Sequence, residues 1–303
     1  MASLKDLRSR IASVKSTQRI TSAMKMVAAA KLRRAQEMAI AARPYAERME
    51  RMLGSLAAGT PGGGPALLAG NGRDAVHLLV LITTDRGLCG SFNAQMMRGA
   101  RLRIRQMQAE GKQVKLFVIG RKGMVVARRE FPDLLVGVME EAIKPAPAFD
   151  KAAELAMTLR QMYADGVFDT CTLAYNRFVS ALTQEVTFLQ LIPFKVGAPA
   201  GAPAGLPPAD TTPVVGAAKA AYEFEPAEEE ILDDLLPRNL AMQIFRTMLE
   251  TFASEQGARM TAMDNASRNA GDQIRRLTQI YNRSRQAMIT KELIEIISGA
   301  EAV

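Results

Sequence analysis

The residues with the most chemical promise lie together in Thr83-Thr84-Asp85-Arg86-Gly87-Leu88-Cys89-Gly90-Ser91-Phe92-Asn93. A carboxylate, a guanidinium, a thiol and two glycines follow directly on Val76 to Ile82, an apolar run that reads as a buried strand. Open α/β sheets bind ligands beyond the carboxyl ends of their strands, so this loop is where a phosphate or an acid/base pair would sit. The segment contains neither GxGxxG nor GxxxxGK[ST], and so lacks the glycine-built cradle that nucleotide phosphates require. Asp85 and Arg86 are then expected to pair locally and cap the following helix. A second basic turn, Gly120-Arg121-Lys122-Gly123, is expected to be solvated.

The remaining reactive side chains are too few or too scattered. His77 is the only histidine, and one histidine assembles neither a zinc site nor a serine triad. Cys89 and Cys171 are the only cysteines and read as free, reduced thiols. Glu140-Glu141, Glu228-Glu229-Glu230 and Asp233-Asp234 fall beside helix starts, where carboxylates offset the helix dipole. They are not evidence of acid/base catalysis, and no metal or cofactor is expected.

The elements around the loop say more than the loop. Residues 1–58 and 226–303 read as long helices bracketing a strand-rich middle. Ser3 is a suitable N-cap with Asp6 three residues on. Leu4, Leu7, Ile11 and Val14 recur at coiled-coil spacing, and the pattern is expected to shift by one after Gln18, continuing as Ile20, Met24 and Val27. With no proline before Pro44, a helix of this length reaches roughly 75 Å. At the other end Ala241, Phe245, Met248 and Phe252 keep heptad spacing. Ile274, Leu277, Tyr281 and Met288 resume it, followed by Leu293, Ile296 and Ile297.

Between the helices, residues 75–196 read as an α/β domain. Strands are expected at Val76 to Ile82, Lys115 to Ile119, Thr170 to Asn176 and Glu185 to Leu191, with a basic amphipathic helix at about 94–109. Strands alternating with helices imply a largely parallel, Rossmann-like sheet. Residues 197–225 form an Ala/Pro/Gly-rich linker and the segment after it.

Composition agrees. The 303 residues are 48% hydrophobic with no tryptophan, no apolar run approaches the length of a membrane span, and MASLKDLRSR lacks a signal-peptide core, so the cytosol is expected. The formal charge is +8. Residues 1–51 carry twelve Lys or Arg against four Asp or Glu, so the basic surplus lies on one helix. Tyr45 is the only aromatic before Phe92, which argues against nucleic acid and for an acidic protein surface.

Four segments together resemble the gamma subunit of F-type ATP synthases: MKMVAAAKLRRAQ at 24–36, TDRGLCGSFN at 84–93, RMTAMDNASRNA at 259–270 and YNRSRQAMITKELIEIISGA at 281–300. The resemblance spans essentially the whole chain and departs mainly in the linker. An inserted cysteine pair like that of chloroplast members is missing, so thiol regulation is not expected. The family implies an antiparallel coiled coil of the terminal helices, turning as a rotary shaft inside three alpha and three beta subunits. It also implies one copy per complex, with the epsilon subunit and the ring of c subunits as the other partners. The place implied is the cytoplasmic face of the bacterial plasma membrane, held there peripherally.

The resemblance also implies site roles, none of them catalytic. Met24, Arg259, Arg285, Gln286, Thr290 and Glu292 would meet alpha or beta subunits. Ile296, Ile297, Ala300, Ala302 and Val303 would turn in an apolar bearing, and Tyr222 and Glu225 would dock on the c ring. The competing reading is a basic coiled-coil scaffold or nucleic-acid-associated protein, which predicts steeply salt-dependent binding to an acidic polymer. A small-molecule enzyme on the central sheet is a third.

Overall fold

The computed structural model describes residues 3–59, 64–194 and 228–301. In chain order the elements are α1 (Leu4–Gly59), α2 (Ala66–Ala69), β1 (Val76–Ile82), α3 (Phe92–Ala109), β2 (Gln113–Ile119), α4 (Arg121–Glu130), a 3₁₀ turn at Pro132–Leu134, β3 (Leu135–Met139), α5 (Phe149–Ala164), β4 (Thr170–Phe178), β5 (Gln184–Ile192) and α6 (Glu228–Glu301). The described residues form two compact units: α1 as far as Ala28 with α6 from Arg259, and Ala29–Ala258.

The first unit is a pair of antiparallel helices. Its start is capped reciprocally, the Asp6 N–H donating to Ser3 Oγ at 3.1 Å and the Ser3 N–H to Asp6 Oδ2 at 3.3 Å. Three contacts set the register: Arg8 Nε donates to Tyr281 Oη at 2.8 Å, Gly271 faces Gln18, and Lys25 Nζ donates to Asp264 Oδ1 at 2.6 Å. Steps of ten and seven residues forward along α1 match steps of ten and seven backward along α6. The two helices therefore run against each other without a slip.

The expected shift after Gln18 does not occur. Leu4, Leu7, Ile11, Val14, Gln18, Thr21, Lys25 and Ala28 keep the alternation of three and four on the buried or half-buried side, while Ile20 and Val27 are exposed. The seam passes through polar and small residues because Gln18 and Lys25 lay their stems along it and keep their polar ends at its edge. Across it stand Met263, Ala270, Ile274, Leu277 and Tyr281. Each large aliphatic enclosed there contributes about 1.5–3 kcal/mol, which a single exposed helix lacks.

Gly271 tests this packing. A Cβ there would lie 3.1 Å from Gln18 Nε2, the mobile end of a flexible side chain. Gly271→Ala is therefore expected to stabilise the helix pair by up to about 1 kcal/mol through helix propensity, read as a higher unfolding midpoint; a drop would mean that Gln18 is held rigidly.

The second unit is built on a five-stranded sheet of order β3-β2-β1-β4-β5. β1 to β4 are parallel and β5 is antiparallel to β4, which gives the expected α/β class with a largely parallel sheet. β1 is buried on both faces, so its run of Val, Leu and Ile has no alternation. One face packs against α5, α1 and α6 through Leu78, Val80, Leu155, Leu32, Ile244 and Met248. The other packs against α3 and α4 through Leu79, Leu81, Met96, Ile104 and Met124. α6 is enclosed along almost all of 239–257, and Phe245 meets Phe149 edge-on at 5.8 Å between ring centres. A third cluster joins Met49, Leu53 and Leu56 of α1 to Leu232 and Leu236 of α6.

The expected strands at 76–82, 115–119, 170–176 and 185–191 all fall within observed strands. β3 was not foreseen. It lies at the sheet edge, is only half-buried, and carries Gly137, where a Cβ would fall 2.5 Å from the Phe117 ring.

Candidate functional site

The loop after β1 lies at the carboxyl end of the sheet, beside the start of α4. Asp85 Oδ1 accepts the N–H of Arg121, the first residue of α4, at 3.0 Å and that of Glu141 at 3.3 Å. Thr83 Oγ1 accepts the N–H of Gly123 at 3.0 Å and donates to the Ile119 carbonyl at 2.7 Å. A helix start of this kind attracts anions through its free N–H groups and its dipole; here the chain supplies its own carboxylate and hydroxyl. The fit is close: a Cβ on Gly120, whose φ is +92°, would lie 2.2 Å from the Thr83 carbonyl, and one on Gly123 would lie 2.5 Å from Thr83 Oγ1.

This revises two expectations. Asp85 caps α4, not the helix directly after its loop, and its contacts are backbone N–H groups rather than Arg86. Arg121 is not simply solvated but pairs with Glu140 at 3.0 Å. The loop itself is tied by Asn93, which accepts the Thr84 N–H at 3.1 Å and donates to Thr84 Oγ1 at 2.8 Å and to Cys89 Sγ at 3.4 Å. Asp85→Ala is expected to cost about 1–2 kcal/mol as a lost cap, measured by urea unfolding, with Asp85→Asn recovering part of it.

The other candidates are structural too. His77 Nε2 lies 2.6 Å from Asp74 Oδ1 at the amino end of the sheet. Asp74 also takes Lys112 and the Thr170 hydroxyl, and the Lys112 contact leads in holding its carboxyl below the usual range. Cys89 and Cys171 are both buried, and burial pushes the Cys171 thiol far up.

What the chain exposes is the end of α6. By the register above, the first residue of α1, Leu4, comes opposite Arg285. Past that point α1 has no further turns to offer, and Arg285, Gln286, Thr290 and Glu292 are all exposed on one short stretch of α6. Thr290 Oγ1 donates to the Gln286 carbonyl at 2.9 Å. Met288, Leu293, Ile296 and Ile297, whose spacing continues the seam, are exposed for the same reason. Sequence reasoning missed Ile289 and Ile294, also exposed, which spread the apolar surface around the helix; their offset by one from Met288 and Leu293 was the available signal.

Met24 is half-buried on the flank of the α1 seam, and Arg259 is half-buried where α6 enters this unit; neither falls within the 285–292 stretch. Ala300 lies in the last turns of α6. Ala302, Val303, Tyr222 and Glu225 lie outside the described residues.

Residues 3–303 match the ATP synthase family. Over 305 residues covering all of both chains, the sequence is 58% identical to the ATP synthase gamma chain of Rhodospirillum rubrum and 55% identical to that of Paramagnetospirillum magneticum. The chain belongs to the gamma-chain family of F-type ATP synthases. Among solved structures it is similar to a chain of the central stalk and c-ring of the Tetrahymena thermophila mitochondrial ATP synthase. That likeness has 27% identity and a TM-score of 0.58 over 82% of this chain and 99% of that one. In fold alone it matches a chain of the Euglena gracilis mitochondrial enzyme at 21% identity and TM-score 0.66, over 99% and 94%.

Membership in the gamma family carries a rotor-shaft role in the central stalk, within a membrane-associated complex, and a non-catalytic one. Among the described residues no helix is long and apolar enough to cross a membrane.

Proposed function

We propose that this gamma chain, one copy per complex, transmits rotation of a proton-driven c ring to three catalytic beta subunits that alternate with three alpha subunits. The observation that carries this is the α1/α6 pair, which is held in one register and leaves α6 unaccompanied past residue 285, with Met288, Leu293, Ile296 and Ile297 exposed. An asymmetric shaft within a pseudo-threefold ring touches each of three equivalent sites differently, so each angle favours a different set of site states. That is a coupling free energy and acts in both directions. Switching a site between strongly opposed populations takes about 5 kcal/mol of differential contact.

In this reading Arg285 and Gln286 hydrogen-bond to an acidic loop of a beta subunit, with Thr290 and Glu292 beside them and Met24 and Arg259 supplying contacts farther along the pair. Ile296, Ile297, Ala300, Ala302 and Val303 turn in an apolar sleeve, where undirected contact leaves no angle locked. Tyr222 and Glu225 meet the polar loops of the c ring, and the epsilon subunit sits beside the α/β unit. The organisation proposed along the chain is a 1–58 helix, a 75–196 α/β domain, a 197–225 linker with the ring-facing segment, and a 226–303 helix. The complex stands on the cytoplasmic face of the bacterial plasma membrane.

Native mass spectrometry of gently solubilised membranes tests the assembly, with an affinity tag placed in the 197–216 linker. One copy of this chain with three each of two larger nucleotide-binding subunits supports the proposal. Recovery of the chain alone or with nucleic acid, under conditions that preserve other membrane complexes, contradicts it.

A further inference from the structure

α3 and α4 lie on the same face of the sheet and share one apolar cluster. Between them they carry eight Lys or Arg and a single carboxylate, Glu130. That carboxylate is already engaged, because Arg101 holds it through two hydrogen bonds of 2.6 and 2.9 Å that tie α3 to α4. Arg98, Arg105, Lys122 and Arg128 are exposed and, among the described residues, make no ion pair. Two aliphatic side chains stand between these cations: Leu102 is 64% exposed and Val125 is 59% exposed. Leu102 is one turn from both Arg98 and Arg105, and Val125 is one turn from Lys122 and Arg128. Each helix thus presents cation, aliphatic, cation along a line of about 10 Å.

We infer that the outer face of α3 and α4 docks an acidic amphipathic helix of another protein. Such a helix carries Asp or Glu about two turns apart with a Leu, Ile or Met between them. Cations around an aliphatic centre reproduce the anatomy of a protein interface, in which an apolar middle is desolvated and rim charges steer and orient the partner. Nucleic acid would satisfy the four cations but would set Leu102 and Val125 against phosphates, and this face has no exposed aromatic side chain on which bases could stack. A bilayer would gain little from two aliphatic side chains. The inference stands apart from the shaft reading, since it concerns a face of the α/β unit and not the helix pair.

The test places a photoreactive amino acid at Leu102 in the assembled complex in its own membranes, followed by irradiation at low and high salt and mapping of the adducts. The expected adduct lies on an Asp/Glu-rich amphipathic helix of another polypeptide. Its yield is expected to fall about tenfold at high salt and in Arg98→Glu with Arg105→Glu. Arg98→Gln with Arg105→Gln should give an intermediate loss, and ATPase activity of the variant complexes shows that they are folded. Adducts to lipid or nucleic acid, to a segment without acidic residues, or to no other molecule overturn the inference, as does a yield indifferent to both salt and charge reversal.

Discussion

Replacing Arg285 and Gln286 together with alanine is expected to lower coupled ATP synthesis about a hundredfold, while the isolated chain keeps its helix content and unfolding midpoint. Both residues are exposed on α6 where α1 starts opposite, so truncation opens no cavity and strands no buried partner. Their proposed contacts are charge-assisted and polar hydrogen bonds, jointly worth about 3 kcal/mol of differential contact, or about a factor of a hundred. Arg285→Lys should recover only part of the rate, because an ammonium does not reproduce a bidentate guanidinium. Synthesis and complex yield that match the parent would remove these residues from the coupling path.

Glu250→Gln is expected to stabilise the protein by about 3 kcal/mol at alkaline pH and to leave it nearly unchanged in acid. Glu250 is 3% exposed in the part of α6 packed on the sheet. Burial raises its pKa from 4.5 to about 7, only partly opposed by Arg246, Arg177 and the Phe178 N–H. Arg246 is a weak partner at 3.6 Å, and Arg177 is also held by Glu185 at 2.5 Å. Tyr175, on the same strand as Arg177, is pushed up to about 12, first by burial and then by Glu250. Because the folded pKa lies above the unfolded one, the folded state binds more protons between pH 4.5 and about 7. Stability therefore falls as pH rises through that window and levels off above it. Glutamine removes the charge that is costly to bury, so the two unfolding curves should separate as pH rises and coincide at its acid end. Parallel curves at all pH values would show that Glu250 is ionised without penalty.

The contrast between these two carboxylate- and arginine-bearing stretches shows what sequence can carry. The terminal helices, four of the five strands and the family motifs were legible because each is a local pattern: continuous apolar β1, heptad spacing in α1 and α6, residues 281–300 as a block. The seam at Gln18, Thr21 and Lys25 is invisible to a hydrophobic pattern, because those residues are placed by geometry once Leu4 to Val14 set the register. The helix that Asp85 caps is not legible locally, because its partners, Arg121 and Glu141, are brought to it by β2 and β3. No local pattern marks Glu250, four after Arg246, as buried, since its burial depends on the end of β4, far away in sequence. The exposed apolar tip of α6 follows from the antiparallel register, and no local pattern reports where a partner helix stops.

Rotation is the most direct test of the shaft reading. Leu182, in the turn between β4 and β5, is 80% exposed, and both native cysteines are buried, so Leu182→Cys offers a single reactive handle. With the three beta subunits of the assembled complex fixed to a surface and a bead attached at that cysteine, unidirectional turning is expected on addition of ATP, with three pauses per revolution. A bead that stays at one angle while the same complexes continue to hydrolyse ATP would contradict it.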